Sequence, residues 1–461
     1  MASDQQERLP RLTKLLYGAG DFGFSLTDAT IGVLFAIYLT DVVGLNASLA
    51  AAAVFIGRSW DYINDPLIGH FSDRTRTRWG RRRPFLLFGF APFALAFTAL
   101  WLRPPIDTQI GMAVYYALAY LVYDAAATFV YMPYFALTPE LTLDYDERTS
   151  LTSYRMGFSI LGALIAFTLP LVIIGTMRPE NAGRVSMTGA IFGIASGLPL
   201  LLTFLGTRER PEFQTRAQPG LRESFRAAVR NRPFVFAMGM FLFTWTALEI
   251  IQGMLLFFLK YRMNLEQESD LVAGTVFVTA LVTLPVWQWA SRQWDKRKAY
   301  VVGMAFMSVV MIALIFIRPE WGMGVVLFLA ALAGVGVGAV HVLPWSMIPD
   351  AVEWGELETG QRHEGMFYSL VTLFRKIASS ISLPLTLLVL DWSGYVSNAP
   401  VQAPSAVRAI QILMGPVPAV CLCAGIVFAL LYPIDRERHA EVRARIAARH
   451  TAGVPGTTST S

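Results

Sequence analysis

Apolar runs of about 20 residues recur along the whole of this chain, and that length is what a helix needs to cross a lipid bilayer. The run from Pro84 to Trp101, for example, contains no charged residue. Hydrophobic residues make up 54% of the 461 positions and charged residues only 15%, whereas soluble domains are usually less apolar and more highly charged. The chain is therefore predicted to be an all-α integral membrane protein.

Twelve such runs are predicted to be transmembrane helices. They cover residues 14–42, 47–72, 84–102, 109–137, 150–175, 186–206, 232–261, 270–291, 298–317, 321–348, 363–391 and 407–432. Cys421 and Cys423 fall in the last run, where they point in different directions, so they are interpreted as packing residues and not as a metal or redox pair.

The charges of the loops predict how the helices are oriented. The loop after the second run holds six arginines between Arg74 and Arg83, whereas loops on the other side, such as NLEQESD, carry few or no basic residues. Basic loops stay in the cytoplasm, so both termini are predicted to be cytoplasmic in a multi-pass protein of the plasma membrane, or of the inner membrane in a bacterium. The net charge of +5 is thus a topology signal, and no nucleic-acid partner is expected.

A basic linker divides the twelve runs into two sets of six. The predicted units are an N-terminal six-helix bundle over 1–206, a cytoplasmic linker over 207–231, a C-terminal six-helix bundle over 232–435 and a partly disordered cytoplasmic tail over 436–461. In each half a short basic loop follows the second run. Such internal repetition is typical of transporters that are built from two related halves.

Six ionisable side chains lie near the middle of these runs when depth is counted at about 1.5 Å per residue. They are Asp28, Asp61, Asp65, Asp124, Glu249 and Lys376. Charged groups are costly inside a membrane and usually mark substrate or ion pathways. Structural ion pairs are the alternative, and for Asp21 and Arg58 both interpretations stay open. Because the six residues lie on helices from both halves, they predict a central binding site.

The acids of the second run form the clearest cluster in this set. Asp61 and Asp65 are four residues apart, and Asn64 shares their helical face. Two carboxylates and an amide oxygen suit a hard cation such as Na⁺, or one shared proton. Lys376 is predicted to balance their charge when no cation is bound.

Polar side chains also recur at helical spacing on the first and fourth runs. They are Asp21, Ser25 and Asp28 on the first run, and Asp124, Thr128, Tyr131 and Phe135 on the fourth. A face that only contacts lipid would be apolar. His341 in the tenth run is more simply interpreted as structural.

Three longer segments carry a family resemblance. They read GRSWDYINDPLIGHFSDRTRTRWGRRRPF, MPYFALTPELTLDYDERTSLTSYR and DAVEWGELETGQRHEGMFYSLVTLFRK. They resemble the glycoside–pentoside–hexuronide:cation symporters, the melibiose permease-like family of the major facilitator superfamily, and the resemblance extends over about residues 12–432. It implies the major facilitator fold of two six-helix bundles, which works by alternating access.

The resemblance also implies roles for individual residues. The family's site for Na⁺, Li⁺ or H⁺ corresponds to Asp61, Asn64, Asp65 and Thr128, its coupling lysine corresponds to Lys376, which follows Thr372, and its arginine on the fifth span resembles Arg155. The sugar site departs from the family pattern. Two sugar-binding acids are replaced by Ser25 and Tyr131, and a stacking tryptophan by Phe135. Acids stand instead at Asp28 and Asp124, on the same helical faces.

The expected function is cation-coupled symport of a small organic solute, driven by Na⁺ or H⁺, with a sugar, glycoside or sugar acid as substrate. Asp124 is expected to add to the coupling site, and Asp28 and Glu249 to bind substrate across the cavity. A lysophospholipid symporter of the same superfamily also lacks the sugar acids, so an amphiphilic substrate is the alternative, and a channel is the alternative from another class. No catalytic motif indicates an enzyme. The expected partners of a monomer are the solute, the coupling cation and the bilayer, with no cofactor.

Overall fold

The computed structural model describes residues 9–142, 145–209, 221–359 and 364–452, without the side chains of some helical residues in these ranges, Asp61 among them. Apart from an isolated bridge between Thr77 and Gly80, all the regular structure in these ranges is helical. The prediction of an all-α chain is therefore confirmed for the part that the structure describes.

The helices of the N-terminal half begin with a long, irregular first helix. The helices are α1 (Arg11–Thr30), which continues through π-helical turns at Ile31–Phe35 and Tyr38–Val42, α2 (Ala47–Ser59), α3 (Asp61–Arg74), α4 (Arg83–Leu100), α5 (Gln109–Leu141), α6 (Tyr145–Ile174) and α7 (Ala182–Gly206). Local chemistry sets several of the helix starts. Pro84 stands in the first turn of α4, where a missing N–H costs nothing, and Thr108 caps α5 by accepting a bond from the amide of Gly111.

The C-terminal half starts after a short amphipathic helix and ends in a helical tail. The helices are α8 (Leu221–Arg230), α9 (Arg232–Phe257), which continues through a π-helical turn at Phe258–Arg262, α10 (Ser269–Gln293), α11 (Lys296–Ala313), α12 (Gly322–Thr359), α13 (Glu364–Trp392), α14 (Pro404–Met414), α15 (Pro416–Leu431) and α16 (Arg436–Ala452). Asn231 caps α9 by accepting a hydrogen bond from the amide of Phe234 at 2.9 Å.

Within the described ranges, each of the twelve predicted runs is largely helical. Among the described residues, nine helical segments are long and apolar enough to cross a membrane, and the other three runs correspond to the first helix, to α2 with α3, and to α11. The last run is broken between α14 and α15 because Pro416 cannot donate a helical hydrogen bond, and because Gly415 lies against the carbonyl oxygen of Met311. The first part of the tail forms helix α16, and residues 453–461, most of the segment that was expected to be disordered, lie outside the described part of the chain.

Small residues allow the helices of each half to approach closely. A Cβ on Gly162 of α6 would lie 2.4 Å from the carbonyl oxygen of Phe22 on α1. A Cβ on Gly334 of α12 would likewise lie 2.3 Å from the carbonyl oxygen of Val276 on α10. Small residues at such crossings are typical of helices that associate in a membrane.

The two halves meet along a shared interface. α2 packs on α13, α6 packs on α10, and the first π-helical turn after α1 packs on α9. Helices α2 and α6 of the N-terminal half and α9, α10 and α13 of the C-terminal half therefore line the place where the halves join. We call the end of the helices at loop 75–82 the basic end, and the end at residues 43–46 the opposite end.

Candidate functional site

A carboxylate of the N-terminal half and an ammonium group of the C-terminal half meet near the middle of the interface. Nζ of Lys376 on α13 donates to Oδ2 of Asp65 on α3 at 2.6 Å. Oγ1 of Thr128 on α5 donates to the other oxygen, Oδ1, at 3.1 Å. One oxygen of the carboxylate thus accepts a bond from an ammonium group and the other from a hydroxyl group. A monovalent cation bound here would need the same carboxylate and hydroxyl oxygens.

Two further residues predicted for the cation site flank this group. Asn64, next to Asp65 in the chain, is only 6% exposed. Asp124 lies one helical turn before Thr128 on α5 and is also buried. The side chain of Asp61 lies outside the described residues.

Lys376 is also held by its own helix environment. The hydroxyl of Tyr62 on α3 donates to Oγ of Ser380 at 3.0 Å. The Ser380 hydroxyl in turn donates to the carbonyl oxygen of Lys376 at 2.6 Å. These bonds join α3 to α13 one helical turn from the Lys376–Asp65 pair. They hold the helix that carries Lys376 next to the helix that carries Asp65.

The structure pairs Asp28 with an arginine that the sequence analysis did not consider. Nη2 of Arg375 on α13 donates to Oδ2 of Asp28 on α1, and the side chains are 26% and 43% exposed. Trp245 and Phe24 lie 4.8 Å and 5.9 Å from the guanidinium carbon, measured to the ring centroids. The signal was present in the sequence, since Arg375 directly precedes Lys376 within an apolar run.

Glu249 also lies against a base. Nη1 of Arg58 on α2 is 3.6 Å from Oε2 of Glu249 on α9. Arg58 in addition donates from Nε to the hydroxyl of Tyr120 at 2.7 Å, and from Nη1 to both the carbonyl oxygen and the hydroxyl of Ser379. Besides Lys376, two long arginine side chains on neighbouring helices therefore reach the acids at this depth, because Arg58 lies against Glu249 and Arg375 against Asp28.

Asp21 and Arg155 form a pair inside the N-terminal half. Nε of Arg155 on α6 lies 3.2 Å from Oδ2 of Asp21 on α1, whose side chain is 4% exposed. The guanidinium carbon of Arg155 also lies 5.1 Å from the ring centroid of Phe135. Of the two interpretations of Asp21, a structural ion pair is the one that this geometry fits.

Aromatic rings fill the space between the paired charges. The ring centroid of Phe24 lies 4.9 Å from that of Tyr131 and 5.4 Å from that of Phe135. The hydroxyl of Tyr131 and the indole N–H of Trp245 are buried, and neither has a hydrogen-bond partner among the described residues. Buried polar groups are normally paired, so these two are candidates for contact with a polar ligand.

Two further residues predicted for the substrate site, Ser25 and Thr372, bond within the half to which each belongs. The hydroxyl of Ser25 bonds to that of Ser159, and Oγ1 of Thr372 donates to the carbonyl oxygen of Tyr368 on its own helix at 3.0 Å. His341 likewise bonds to the carbonyl oxygen of Val337 at 2.9 Å. Thr372 is exposed. It therefore lies outside the group of paired charges and aromatic rings described above.

Comparison with known proteins shows the family to which the chain belongs. A family model described as MFS/sugar transport protein matches residues 16–436. An uncharacterized symporter of Synechocystis sp. is 34% identical, over 96% of this chain and 98% of its own length. The sodium-dependent lysophosphatidylcholine symporter 1-A of Danio rerio is 30% identical, over 94% of this chain and 88% of its own length.

A comparison of structures supports the same fold. The D-xylose-proton symporter aligns with a TM-score of 0.66 at 15% identity, over 92% of this chain and 97% of its own. The predicted major facilitator fold of a multi-pass membrane transporter is therefore confirmed. The chain belongs to the MFS/sugar transport protein family.

Proposed function

We propose that this chain is a cation-coupled symporter of a small organic solute and that Asp65 binds the coupling cation. The observation that carries the proposal is the Lys376 ammonium group 2.6 Å from Asp65, with the hydroxyl of Thr128 on the other carboxylate oxygen. An ammonium group occupies the position that a monovalent cation would take, so a cation must displace Lys376 in order to bind. Asn64, Asp124 and Asp61 are proposed to complete the site, with Asp61 assigned from the sequence alone.

The exchange between lysine and cation supplies a coupling mechanism. Lys376 belongs to α13 in the C-terminal half, whereas Asp65 and Thr128 belong to the N-terminal half. Binding of the cation would release Lys376 from Asp65, and with it one connection between the halves. Coupling of this kind is reciprocal and is typically worth about 1–3 kcal/mol.

Sodium is proposed as the coupling ion. Carboxylate, amide and hydroxyl oxygens are hard ligands that suit Na⁺. Several relatives that match over most of this chain are named sodium-dependent symporters, which supports the choice over H⁺.

A sugar, glycoside or sugar acid is proposed as the substrate class, bound between the halves. Asp28 and Arg375 would supply acceptors and donors for its polar groups, while Trp245 and Phe24 would supply flat apolar surfaces. The surrounding wall is proposed to consist of Tyr131, Phe135, Arg155, Ser25 and Thr372. Glu249, which was expected to bind substrate, is proposed instead to orient Arg58, against which it lies. This assignment would place the chain in the melibiose permease-like family.

An amphiphile with a charged head group is the second candidate substrate. Its support is the similarity to lysophosphatidylcholine symporters over 94% of this chain or more. An aromatic cluster with ion pairs beside it would suit an apolar tail and a charged head group equally well.

The orientation and organisation are also proposals. The basic end is proposed to face the cytoplasm, with both termini on that side of the plasma membrane. The bundles are proposed to comprise 1–206 and 232–435, joined by linker 207–231 and followed by tail 436–461. A monomer is proposed as the working unit.

Thermal unfolding of the purified chain tests the cation site without knowledge of the substrate. We expect NaCl, compared with choline chloride at equal ionic strength, to raise the Tm of the parent and to leave that of Asp65→Asn unchanged. Asp350→Asn, which alters an acid paired with Lys296 at 2.6 Å outside the site, is the matched control and should keep the response. An equal rise in Tm with Na⁺ in Asp65→Asn would show that this carboxylate does not bind the cation.

The same measurement can identify the substrate class. Sugars, glycosides, sugar acids and lysolipids are added with and without Na⁺, and the class that raises the Tm is the candidate substrate.

A further inference from the structure

A second cluster of polar residues, remote from the cation site, joins the two halves at the opposite end. Its centre is Asp41, whose carboxylate is fully buried. Nζ of Lys260 donates to Oδ2 at 2.6 Å, and the hydroxyl of Tyr261 donates to the same oxygen. The hydroxyl of Tyr395 donates to Oδ1, which also accepts a bond from Thr40 at 3.0 Å. Apart from Thr40, these donors all belong to the C-terminal half.

A second layer of bonds surrounds this carboxylate. Nδ2 of Asn398 donates to the backbone oxygen of Asp41 at 2.6 Å. Nζ of Lys260 donates also to Oδ1 of Asn398 at 2.8 Å and to the carbonyl oxygen of Met177 at 2.9 Å. The cluster therefore connects the end of the first helix and the segment after α6 with the end of α9 and the segment after α13.

Burial makes this cluster sensitive to the loss of any one partner. The side chain of Lys260 is 8% exposed and that of Asp41 is not exposed at all. Removing one partner of a buried ion pair strongly destabilises the structure that contains it, because the other charge is left buried and uncompensated. The nearby pair of Arg178 and Glu266 also crosses between the halves, but Arg178 is 57% exposed and such a pair contributes little.

The basic end has a different arrangement. Among the described residues, its ion pairs each join elements of the same half, as do Lys14 with Glu147 and Arg82 with Glu140. Buried charge pairing across the interface is therefore found near the middle and at the opposite end. When the halves are joined at one end and not at the other, the contact stabilises the conformation in which the joined end is closed.

We propose that Asp41, Lys260, Tyr261, Tyr395 and Asn398 form a lock that closes the outer end of the transporter and must open for solute to enter from outside. The inference rests on the proposed transport function and on the proposed orientation. These residues would determine the balance between the outward-open and inward-open conformations and would not bind the solute or the cation. Loss of the lock would raise the population of the outward-open conformation.

Accessibility of a single cysteine tests the lock without substrate or Na⁺. Gln252 on α9 faces the π-helical turn Ile31–Phe35 across the interface, since a Cβ on Gly32 would lie 2.9 Å from its Oε1. Gln252→Cys, introduced after Cys421 and Cys423 are replaced by alanine, reports whether a membrane-impermeant thiol reagent passes the outer end. Intact cells expressing the full-length chain are labelled. We expect Lys260→Gln and Tyr395→Phe to increase the labelling rate of Gln252→Cys, with Lys260→Gln increasing it about tenfold or more.

Two controls make the result decisive. Arg178→Gln removes the exposed pair at the same end and should leave the labelling rate near that of the parent. Val401→Cys, at a position that is 85% exposed, should react at the same rate in every variant and so shows that each variant is folded and inserted. If Gln252→Cys reacts no faster in Lys260→Gln and Tyr395→Phe than in the parent, the lock is disproved whether or not Na⁺ stabilises the protein. If Val401→Cys reacts only from the cytoplasmic side, the proposed orientation is wrong, and labelling from that side still measures the lock.

Discussion

At the scale of single residues, the central site is defined by pairs of opposite charge. Lys376 with Asp65, Arg375 with Asp28 and Arg58 with Glu249 each combine one residue from either half. Charges at this depth are tolerated because each lies against a partner. If the substrate and the cation bind between the halves as proposed, they compete with these pairs, and the pairs are where binding would change the conformation.

Replacement of Lys376 by alanine tests the competition between lysine and cation. We expect Lys376→Ala to be less stable than the parent without Na⁺, because Asp65 loses its ammonium partner, and to gain more from added Na⁺, because the cation no longer displaces lysine. The measurement is the rise in Tm between choline chloride and NaCl. Lys296→Ala, which removes a lysine paired with Asp350 away from the site, should respond like the parent. A smaller or unchanged rise in Lys376→Ala would mean that lysine and cation do not share Asp65.

At the scale of helices, close crossings decide how the elements of each half pack. The crossing of α1 and α6 depends on Gly162, which lies against the backbone of Phe22. Backbone cannot move aside as a side chain can, so a methyl group at this position must push the helices apart. That crossing also carries the Asp21–Arg155 pair, whose geometry depends on the same approach.

A pair of glycines on α6 provides a matched test. Gly162→Ala would place its Cβ 2.4 Å from the carbonyl oxygen of Phe22 and should cost about 1–3 kcal/mol. Gly157→Ala, five positions earlier on the same helix, meets no atom within 4 Å and should be neutral or stabilising by up to about 1 kcal/mol. The Tm of both variants in the same detergent is the measurement. Equal Tm values would show that the crossing is looser than the structure indicates.

At the scale of the whole molecule, ion pairs link the two halves near the middle and at one end. The Lys376–Asp65 pair lies near the middle of the interface, and the Lys260–Asp41 pair lies at the end. A transporter that exposes its site alternately to the two sides needs contacts of this kind at both ends in turn. The described structure has them at the opposite end, and so corresponds to the conformation that is closed there.

The orientation of the whole molecule can be tested by labelling one loop. Loop 75–82 should be cytoplasmic, because the arginines at and beside it resist transfer across the membrane. With Cys421 and Cys423 replaced, Thr77→Cys in this loop should react with an impermeant thiol reagent only after the cells are opened. Val401→Cys at the other end should react in intact cells. The reverse pattern would place both termini outside.

The sequence by itself determined the features that depend on local chemistry. Helix formation by twelve apolar runs follows from hydrophobic length, and the approximate depth of Asp28, Asp65, Glu249 and Lys376 follows from the constant rise per residue. The family could be recognised because its motifs are contiguous. These properties need no knowledge of which helices are neighbours.

Only the tertiary structure decided which charges meet. Arg375 and Asp28 are separated by 347 positions, and Lys260 and Asp41 by 219. The pairing of distant side chains depends on the relative position of helices, which an apolar pattern does not specify because any face of a membrane helix can be apolar. The reach of arginine adds to this uncertainty, since its long side chain can pair with a carboxylate on any adjoining helix. The lock at Asp41 was missed for the same reason, because its partners lie at the end of α9 and in the segment after α13.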